Sequence, residues 1–332
     1  MRYATIGTSW ITDAFIEGAN IAGGLELAAV YSRNENRGQE FVSKYGDKPV
    51  YTDLNELATS ELIDAAYIAS PNVYHYSQSK LFLENGKHVI CEKPITVTST
   101  QYRELSALAK SRNLVYMEAI MMRYLPARRL LHETLSQIGN ITTARFDFSQ
   151  LSSKHHALQT GKLPNIFNPA MATGCLMDLG IYCVYAAVDL FGKPEKIMAS
   201  AGFLSSGADG YGSAIFIYND KQVTLTYSKT GQSIIGSEIM GDLGTLKINS
   251  ISKLTEITLV QTENGKQLCK ALIGNIPKSE LMSGEAAAFL RFANDPAGNK
   301  EEIESVSQLT FTVSEVMETI RKQAGIWFKD DL

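Results

Sequence analysis

One stretch decides the fold of this chain: Val89-Ile90-Cys91-Glu92-Lys93-Pro94. Its apolar half predicts a buried strand, and its charged half with the proline predicts a tight turn where that strand ends. Upstream, Tyr67-Ile68-Ala69-Ser70-Pro71-Asn72 predicts another strand and turn, and a helix-like stretch leads to Gly86-Lys87-His88. Strand, helix and strand in this order are typical of a parallel sheet. Functional side chains collect at the strand ends of such sheets, so Lys93 is a candidate catalytic group, with a solvated surface lysine as the alternative.

The wider pattern predicts two domains. From residue 1 to about residue 118, short apolar runs alternate with amphipathic stretches, which is typical of a doubly wound parallel sheet. Strands are predicted at residues 3–6, 25–31, 65–69, 88–91 and 114–118. Beyond them, apolar and polar residues alternate between turn signals, which indicates an antiparallel sheet with one covered face. Those strands are predicted at residues 145–150, 196–204, 213–218, 222–228, 237–240, 245–249 and 254–261, with helices at 174–191 and 306–324.

We therefore expect an α/β protein with a Rossmann domain at residues 1–120 and an α+β domain at residues 121–332. The second domain should carry a large, mostly antiparallel open sheet. Its strands hold apolar residues on both alternations in places, as in Ala214-Ile215-Phe216-Ile217-Tyr218. An apolar sheet face without a cover usually meets a partner, so we expect a homodimer or a dimer of dimers formed sheet to sheet.

Composition narrows the class of protein. The chain has 332 residues, 45% of them hydrophobic and 20% charged, with a net charge of -4, and no basic stretch suggests a nucleic-acid partner. The sequence opens on a strand instead of a signal peptide and has no apolar run of about 18 residues, so we expect a cytoplasmic protein that does not span a membrane. The four cysteines and five histidines lie in no metal-ligand spacing, which favours reduced thiols and no metal site.

The first strand leads into a candidate dinucleotide turn. A Rossmann turn uses three glycines so that the backbone approaches the pyrophosphate, and here those positions are Gly7, Ser9 and Thr12. The motif is weak by itself, and a plain strand-to-helix turn is the alternative. Hydroxyl groups of Thr8, Ser9 and Thr12 can take over part of the phosphate binding. The predicted cofactor contacts in this turn are Gly7, Thr8, Ser9, Trp10 and Ile11.

The end of the second strand indicates which nicotinamide cofactor is preferred. An acidic residue there would bind the ribose 2′-hydroxyl of NAD, whereas arginine accepts the 2′-phosphate of NADP. The strand ends Tyr31-Ser32-Arg33-Asn34, without an acid. Ser32 and Arg33 therefore favour NADP(H), and NAD(H) remains possible because Arg33 can stack on the adenine of either cofactor.

The block around Glu92-Lys93-Pro94 resembles the Gfo/Idh/MocA family of nicotinamide-dependent oxidoreductases. In that family the lysine reaches the substrate beside the nicotinamide, which implies the same role for Lys93. The resemblance also implies cofactor contacts from the two strand ends. These are Ser70, Pro71, Asn72, His75, Glu92 and Lys93.

A second segment, residues 174–183, resembles the family's motif of a Gly-rich helix start, an Asp and, four residues on, a His or Tyr. The spacing places Asp178 and Tyr182 on one helix face. Tyrosine at this position is found in the branch with dimeric dihydrodiol dehydrogenases and glucose-fructose oxidoreductase. Core packing for the tyrosine and a capping or solvated role for the aspartate are the alternatives. With Lys93, the resemblance implies a catalytic set of Lys93, Asp178 and Tyr182.

Two further segments resemble the family's substrate region. Residues 117–126 resemble its E-A-x-M-x-R-F-x-P segment, so Arg123 is a candidate for orienting a substrate hydroxyl or carboxylate, with a domain-bridging salt bridge as the alternative. Residues 165–169 resemble the loop that covers the sugar site, which makes Asn165 a candidate substrate contact.

The resemblance implies an NAD(P)-dependent oxidoreductase that transfers a hydride between the nicotinamide and a secondary alcohol or carbonyl of a sugar, cyclitol or related small molecule. Two alternatives stay open. One is a dihydrodiol or dicarbonyl reductase, and the other is a non-catalytic NADP(H)-sensing regulator, because a fold does not fix its function.

Overall fold

The computed structural model describes residues 1–263, 266–274 and 276–331. It contains two compact units, one of Met1–Tyr124 with Pro277–Phe311 and one of Leu125–Ile276 with Thr312–Leu332. This division differs from the predicted domains 1–120 and 121–332, because residues 277–311 cluster with the first unit.

The described strands are numbered here in chain order. They are β1 Arg2–Ile6, β2 Glu26–Tyr31, β3 Val50–Tyr51, β4 Ala65–Ile68, β5 His88–Glu92, β6 Tyr116–Ala119, β7 Ile141–Ser149, β8 Lys196–Phe203, β9 Asp209–Ile217, β10 Gln222–Ser228, β11 Ser237–Gly241, β12 Thr245–Ser250, β13 Thr255–Glu263 and β14 Lys266–Ile273.

The helices follow the same numbering. They are α1 Trp10–Ala22, α2 Glu35–Val42, α3 Leu54–Thr59, α4 His75–Glu84, α5 Ser99–Ser111, α6 Pro126–Thr134, α7 His155–Gln159, α8 Ile181–Phe191, α9 Lys278–Asn294 and α10 Lys300–Ala324. Short helical turns cover Asn72–Tyr74, Met121–Tyr124, Leu135–Ile138, Asn165–Phe167, Pro169–Met171, Leu176–Gly180 and Lys329–Asp331.

The first unit is built on a six-stranded parallel sheet in the order β3-β2-β1-β4-β5-β6. All four residues of β4 are buried, as expected for a strand with helices on both faces. The strand order reverses direction between β1 and β4, and ligands of open α/β sheets bind at the carboxyl ends of the strands at such a point. This confirms the predicted Rossmann sheet and places β1, β4 and β5, whose ends carry the predicted cofactor contacts, next to one another.

Helix α9 explains why residues 277–311 belong to the first unit. It packs closely on α1, since a Cβ atom on Gly18 would lie 2.8 Å from the carbonyl carbon of Met282. Phe289 and Phe292 of α9 are buried in one apolar cluster with Phe15 of α1. Glycine at position 18 thus permits the close approach of the two helices.

The second unit is built on an eight-stranded sheet in the order β14-β13-β12-β11-β7-β10-β9-β8. Strands β7 and β10 pair in parallel and the other pairs are antiparallel, so the expectation of a mostly antiparallel sheet is confirmed. One face packs against α8 and is apolar, with Phe146, Phe216 and Leu225 fully buried.

The predicted helix at residues 174–191 has two parts. A π-helical turn, Leu176–Gly180, precedes α8, and turns of this kind often occur at functional sites. Among the described residues, the stretch Pro169–Phe191 is long and apolar enough to cross a membrane by hydropathy, with a mean of 1.5, but 72% of it is buried within the protein. Burial of this extent is typical of a core helix.

Candidate active site

The turn that carries Lys93 begins at the carboxyl end of β5. The phenol of Tyr67, on the neighbouring strand β4, donates to Glu92 Oε1 at 2.7 Å, and the Lys93 N–H donates to Glu92 Oε2 at 3.3 Å. Burial, with the Glu92 charge as a second cause, raises the pKa of Tyr67, so this phenol stays a donor. The Glu92 carboxylate thus ties the lysine's backbone to the centre of the sheet, and the Lys93 side chain itself is half-buried.

Side chains of β6 hold the backbone that follows Lys93. The backbone N–H of Ile95 donates to the buried carboxylate of Glu118 at 2.8 Å, and the Tyr116 phenol donates to the Ile95 carbonyl oxygen at 3.3 Å. Glu118 was predicted only as part of a segment lining the substrate site. Its position supports the lysine turn instead.

His75 has a different place from the one predicted. The ring is fully buried, with Nδ1 2.8 Å from the carbonyl oxygen of Pro94 and Nε2 2.8 Å from that of Ser70. Burial is the main cause that lowers the pKa of His75, so the ring is neutral at physiological pH. The prediction that His75 contacts the cofactor is not supported, because the side chain is enclosed between the two turns that it joins.

The turn after β1 fits a dinucleotide. Gly7 has a φ of 123°, and a Cβ atom there would lie 2.7 Å from the carbonyl oxygen of Ala69, so the position requires glycine. Ser9 is the N-cap of α1, but its side chain makes no capping hydrogen bond within the described part of the chain. Its hydroxyl and the first N–H groups of α1 are therefore suited to a phosphate.

Thr12 does not share this property. The side chain is fully buried, so the suggestion that its hydroxyl binds phosphate is not supported. The neighbouring predicted contacts Thr8 and Ile11 are half-buried, and Trp10 is 67% exposed at the start of α1.

The end of β2 presents Arg33 to solvent. Ser32 is buried, and its hydroxyl donates to the carbonyl oxygen of Asn34 at 2.7 Å, so it holds its own turn. The Arg33 guanidinium lies 5.9 Å from the ring centre of Tyr74, in the turn that follows Ser70-Pro71-Asn72. Tyr74 was not predicted from the sequence. An exposed cation and an aromatic ring at the carboxyl ends of β2 and β4 fit the adenosine half of NADP.

In the second unit, Asp178 and Tyr182 stand out by their exposure. From Gly174 to Val188 they are the two residues that are not buried. The Tyr182 ring lies edge-on to Phe148 of β7, with 5.5 Å between ring centres. The i, i+4 spacing of Asp178 and Tyr182 places one carboxylate and one phenol on the same face of this segment.

Lys229, immediately after β10, is a second residue, besides Tyr74, that the sequence did not predict. Its side chain is only 4% exposed, and its ammonium group forms an ion pair with the Asp178 carboxylate, which is 37% exposed. The ion pair joins two residues of the second unit that are 51 positions apart in the sequence.

A buried carboxylate, that of Asp209, fixes the start of this helix. Asp209 accepts the N–H of Leu176 at 2.7 Å, and a Cβ atom on Gly174 would lie 1.7 Å from its Oδ1. Burial raises the pKa of Asp209 above its usual value. The Gly-rich start of the motif therefore leaves space for this carboxylate.

The predicted substrate contacts Arg123 and Asn165 lie in short helical turns. Arg123 is half-buried in the Met121–Tyr124 turn, where its charge is one cause, after Arg291, of the lowered pKa of Glu302. Asn165 is exposed, and its carbonyl oxygen accepts the hydroxyl of Thr173 at 2.6 Å. Across residues 1–263, 266–274 and 276–331, no group of three potential metal ligands occurs.

Comparison with known proteins defines the class. Residues 1–120 match the model of an oxidoreductase family with an NAD-binding Rossmann fold, and residues 124–247 match the Gfo/Idh/MocA C-terminal domain. The chain is thus an NAD(P)-dependent oxidoreductase by fold and family.

The chain belongs to the Gfo/Idh/MocA family. It is 37% identical to scyllo-inositol 2-dehydrogenase (NADP(+)) IolU of Bacillus subtilis, covering 100% of this chain and 99% of that protein. It is 31% identical to trans-1,2-dihydrobenzene-1,2-diol dehydrogenase of Mus musculus, covering 92% and 91%. The fold is also that of KijD10, a 3-ketoreductase from Actinomadura kijaniata solved with NADP and TDP-benzene, with a TM-score of 0.85, 21% identity and coverage of 98% of each chain.

Proposed function

We propose that this oxidoreductase interconverts a secondary alcohol and its ketone on a sugar, cyclitol or related polyol, with NADP(H) as the preferred cofactor. The observation that carries the proposal is the pair Asp178 and Tyr182, which are the two half-buried residues in the otherwise buried stretch Gly174 to Val188. The identity of 37% to a scyllo-inositol dehydrogenase over the whole chain supports the substrate class.

The cofactor would be held by residues of the first unit. The glycine turn and the N-terminus of α1 suit the pyrophosphate, and the exposed Arg33 beside Tyr74 suits an adenosine with a 2′-phosphate. The relative IolU is an NADP(+) enzyme by name, which agrees with this preference. When bound, the nicotinamide accepts or supplies the hydride.

The chain's own residues handle the proton and the substrate's orientation. Tyr182 transfers the proton of the reacting hydroxyl. A tyrosine with its usual pKa of about 10 is a poor base at neutral pH, so a cation is needed that favours the phenolate. Lys93 supplies that charge and donates a hydrogen bond to the reacting oxygen. Asp178 accepts a hydrogen bond from the substrate.

A second candidate is the reduction of dihydrodiol-type or dicarbonyl substrates. It is favoured by Tyr182 at the proton-transfer position and by the 31% identity to the mouse dihydrodiol dehydrogenase. Both candidates use the same three residues. They differ in how polar the substrate is around the reacting carbon.

Assembly and location belong to the same proposal. On the sheet face opposite α8, the outward-pointing residues Met198 and Ile215 are cross-strand partners, and Met198 is 51% exposed. Apolar side chains on such a face favour a homodimer or a dimer of dimers formed sheet to sheet. The four cysteines are free thiols, which fits a cytoplasmic protein.

The experiment is to mix the protein with NADPH or NADH and a panel of sugars, inositols, their ketones and α-dicarbonyls, and to follow the nicotinamide absorbance. Fastest turnover with polyols or cyclitols and NADPH is expected. Preference for dicarbonyls supports the second candidate. Clear NADPH binding without turnover of any member contradicts both and favours a non-catalytic sensor.

A further inference from the structure

We propose that Lys229 is a positioning residue that fixes Asp178 as an ionised hydrogen-bond acceptor, and that this pair selects substrates with a hydroxyl next to the reacting carbon. The inference rests on the proposed function, because it takes Asp178 to face the substrate. It adds the residue that makes the aspartate selective.

The charge of Lys229 lies in a buried position. Its side chain is 4% exposed, and a buried ammonium group is retained only when it is paired. Asp178 provides the opposite charge. The ring centre of Phe167 lies 5.8 Å from the ammonium nitrogen and excludes water from that side, while it contributes a weak cation–π attraction.

Two backbone hydrogen bonds hold Lys229 in place. Its backbone N–H donates to the carbonyl oxygen of Gly210 at 2.8 Å, and its carbonyl oxygen accepts the N–H of Ser152 at 2.9 Å. Both bonds hold the lysine between segments of the second unit. Burial of the side chain confines the ammonium group as well, so the carboxylate that contacts it is oriented by it.

The ion pair also affects the charge of the Asp178 carboxylate. A cation in contact with one carboxylate oxygen stabilises the charged form, and an ionised carboxylate can only accept hydrogen bonds. The side chain is 37% exposed, so a ligand can reach it. A hydroxyl on the substrate satisfies it, whereas a carbonyl or ether oxygen at that place is repelled. The pair thus favours α-hydroxy ketones and vicinal diols, which is the polyol class.

The test measures discrimination between two ketones in the presence of NADPH. One is the ketone of scyllo-inositol, and the other is its dideoxy analogue, which lacks both hydroxyls next to the carbonyl. In the wild type, kcat/KM should favour the hydroxylated ketone by roughly 10- to 100-fold, as expected for a hydrogen bond to a charged group. Lys229→Met should lose most of that preference, mainly by a higher KM for the hydroxylated ketone, with the dideoxy ketone changed little.

Two further variants separate positioning from folding. Lys229→Arg keeps a cation and should restore part of the preference. The double variant with Lys229→Gln and Asp178→Asn replaces the ion pair by a neutral hydrogen-bonded pair, and it should lose the preference even if Lys229→Met does not fold. Lys193→Met breaks the exposed pair with Glu315, 2.9 Å apart, and should leave both ketones unaffected.

The outcomes are distinct. A parallel loss of kcat on both ketones, with the preference intact in the double variant, makes Lys229 a structural residue and overturns the inference. An unchanged preference in Lys229→Met overturns it as well. No NADPH consumption by the wild type with any member of the panel contradicts the proposed function, and the selection by Asp178 with it.

Discussion

The Nδ1 atom of His75 lies 2.8 Å from the carbonyl oxygen of Pro94, the residue that follows the predicted catalytic lysine. His75 is the first residue of α4 and fully buried. The histidine therefore holds the turn of Lys93 through a backbone carbonyl group.

This burial predicts a pH dependence of stability. Burial lowers the pKa of His75 in the folded state, whereas the unfolded ring titrates near 6.5, so the unfolded chain binds more protons below about pH 6.5. The free energy of unfolding should be greatest above that pH and fall as the pH decreases toward the folded pKa, by at most about 1.4 kcal/mol per pH unit for this group. Urea unfolding of the wild type and of His75→Gln between about pH 7.5 and pH 5 measures this pH dependence.

His88 provides the matched control. Burial also lowers its pKa, and its Nδ1 accepts the N–H of Val115 at 3.0 Å, so it contributes a slope of the same sign. His75→Gln should remove only the part of the pH slope that His75 contributes. His88→Gln should remove only the part that His88 contributes. A slope that His75→Gln leaves unchanged would show that the ring does not titrate as a buried neutral group.

Cofactor choice is tested at the end of β2. Arg33→Asp should weaken NADPH binding far more than NADH binding, because it places a negative charge against the 2′-phosphate. Fluorescence titration with both cofactors measures the change. Arg103→Asp, the same charge reversal on the exposed face of α5, is the control. Equal losses for the two cofactors, or a wild type that prefers NADH, would contradict the assignment.

Lys93→Met tests the lysine's two roles. Turnover should fall by roughly two to four powers of ten, the usual contribution of proton-transfer catalysis. Residual alcohol oxidation should need a higher pH, because the proposed mechanism relies on the lysine charge to favour the phenolate. Lys80→Met, in the exposed pair with Glu104, should change neither the rate nor the pH profile. An unshifted profile in Lys93→Met would leave the lysine as a substrate contact alone.

The open sheet face is tested by light scattering. A charge at Met198 or Ile215 should split the assembly, since Met198→Glu and Ile215→Glu bury an unpaired carboxylate in the proposed sheet-to-sheet contact. Ile21→Glu, at a residue 55% exposed on α1, should leave the mass unchanged. A wild type that is monomeric at micromolar concentration would refute the assembly.

Most strands could be predicted from the sequence because one covered face produces a regular alternation. Strand β14 was missed for the opposite reason, since six of its eight residues are exposed and no alternation exists. Strand β3 has only two residues. Helix α9 was missed because it contains Gly284, a residue that weakens the helical pattern. Packing requires glycine there, since a Cβ atom would lie 2.8 Å from the carbonyl oxygen of Tyr124.

The candidate site, like the fold, was predicted in part. Lys93, Asp178 and Tyr182 were predicted because they lie in short motifs with fixed spacing. Lys229 was not, because the ion pair with Asp178 joins residues 51 positions apart and leaves no periodic pattern. The scaffold role of His75 depends on two backbone carbonyl groups, which the sequence does not reveal.

The central claim, that Tyr182 transfers the substrate's proton, is tested most directly by Tyr182→Phe. The variant keeps the ring and its edge-on contact with Phe148 but removes the phenolic proton. With NADPH and the best ketone of the panel, turnover should fall by roughly two to four powers of ten while NADPH affinity changes little. Near-normal turnover in both directions would contradict the claim, make Tyr182 a packing residue and assign the proton to Lys93, Asp178 or a bound water.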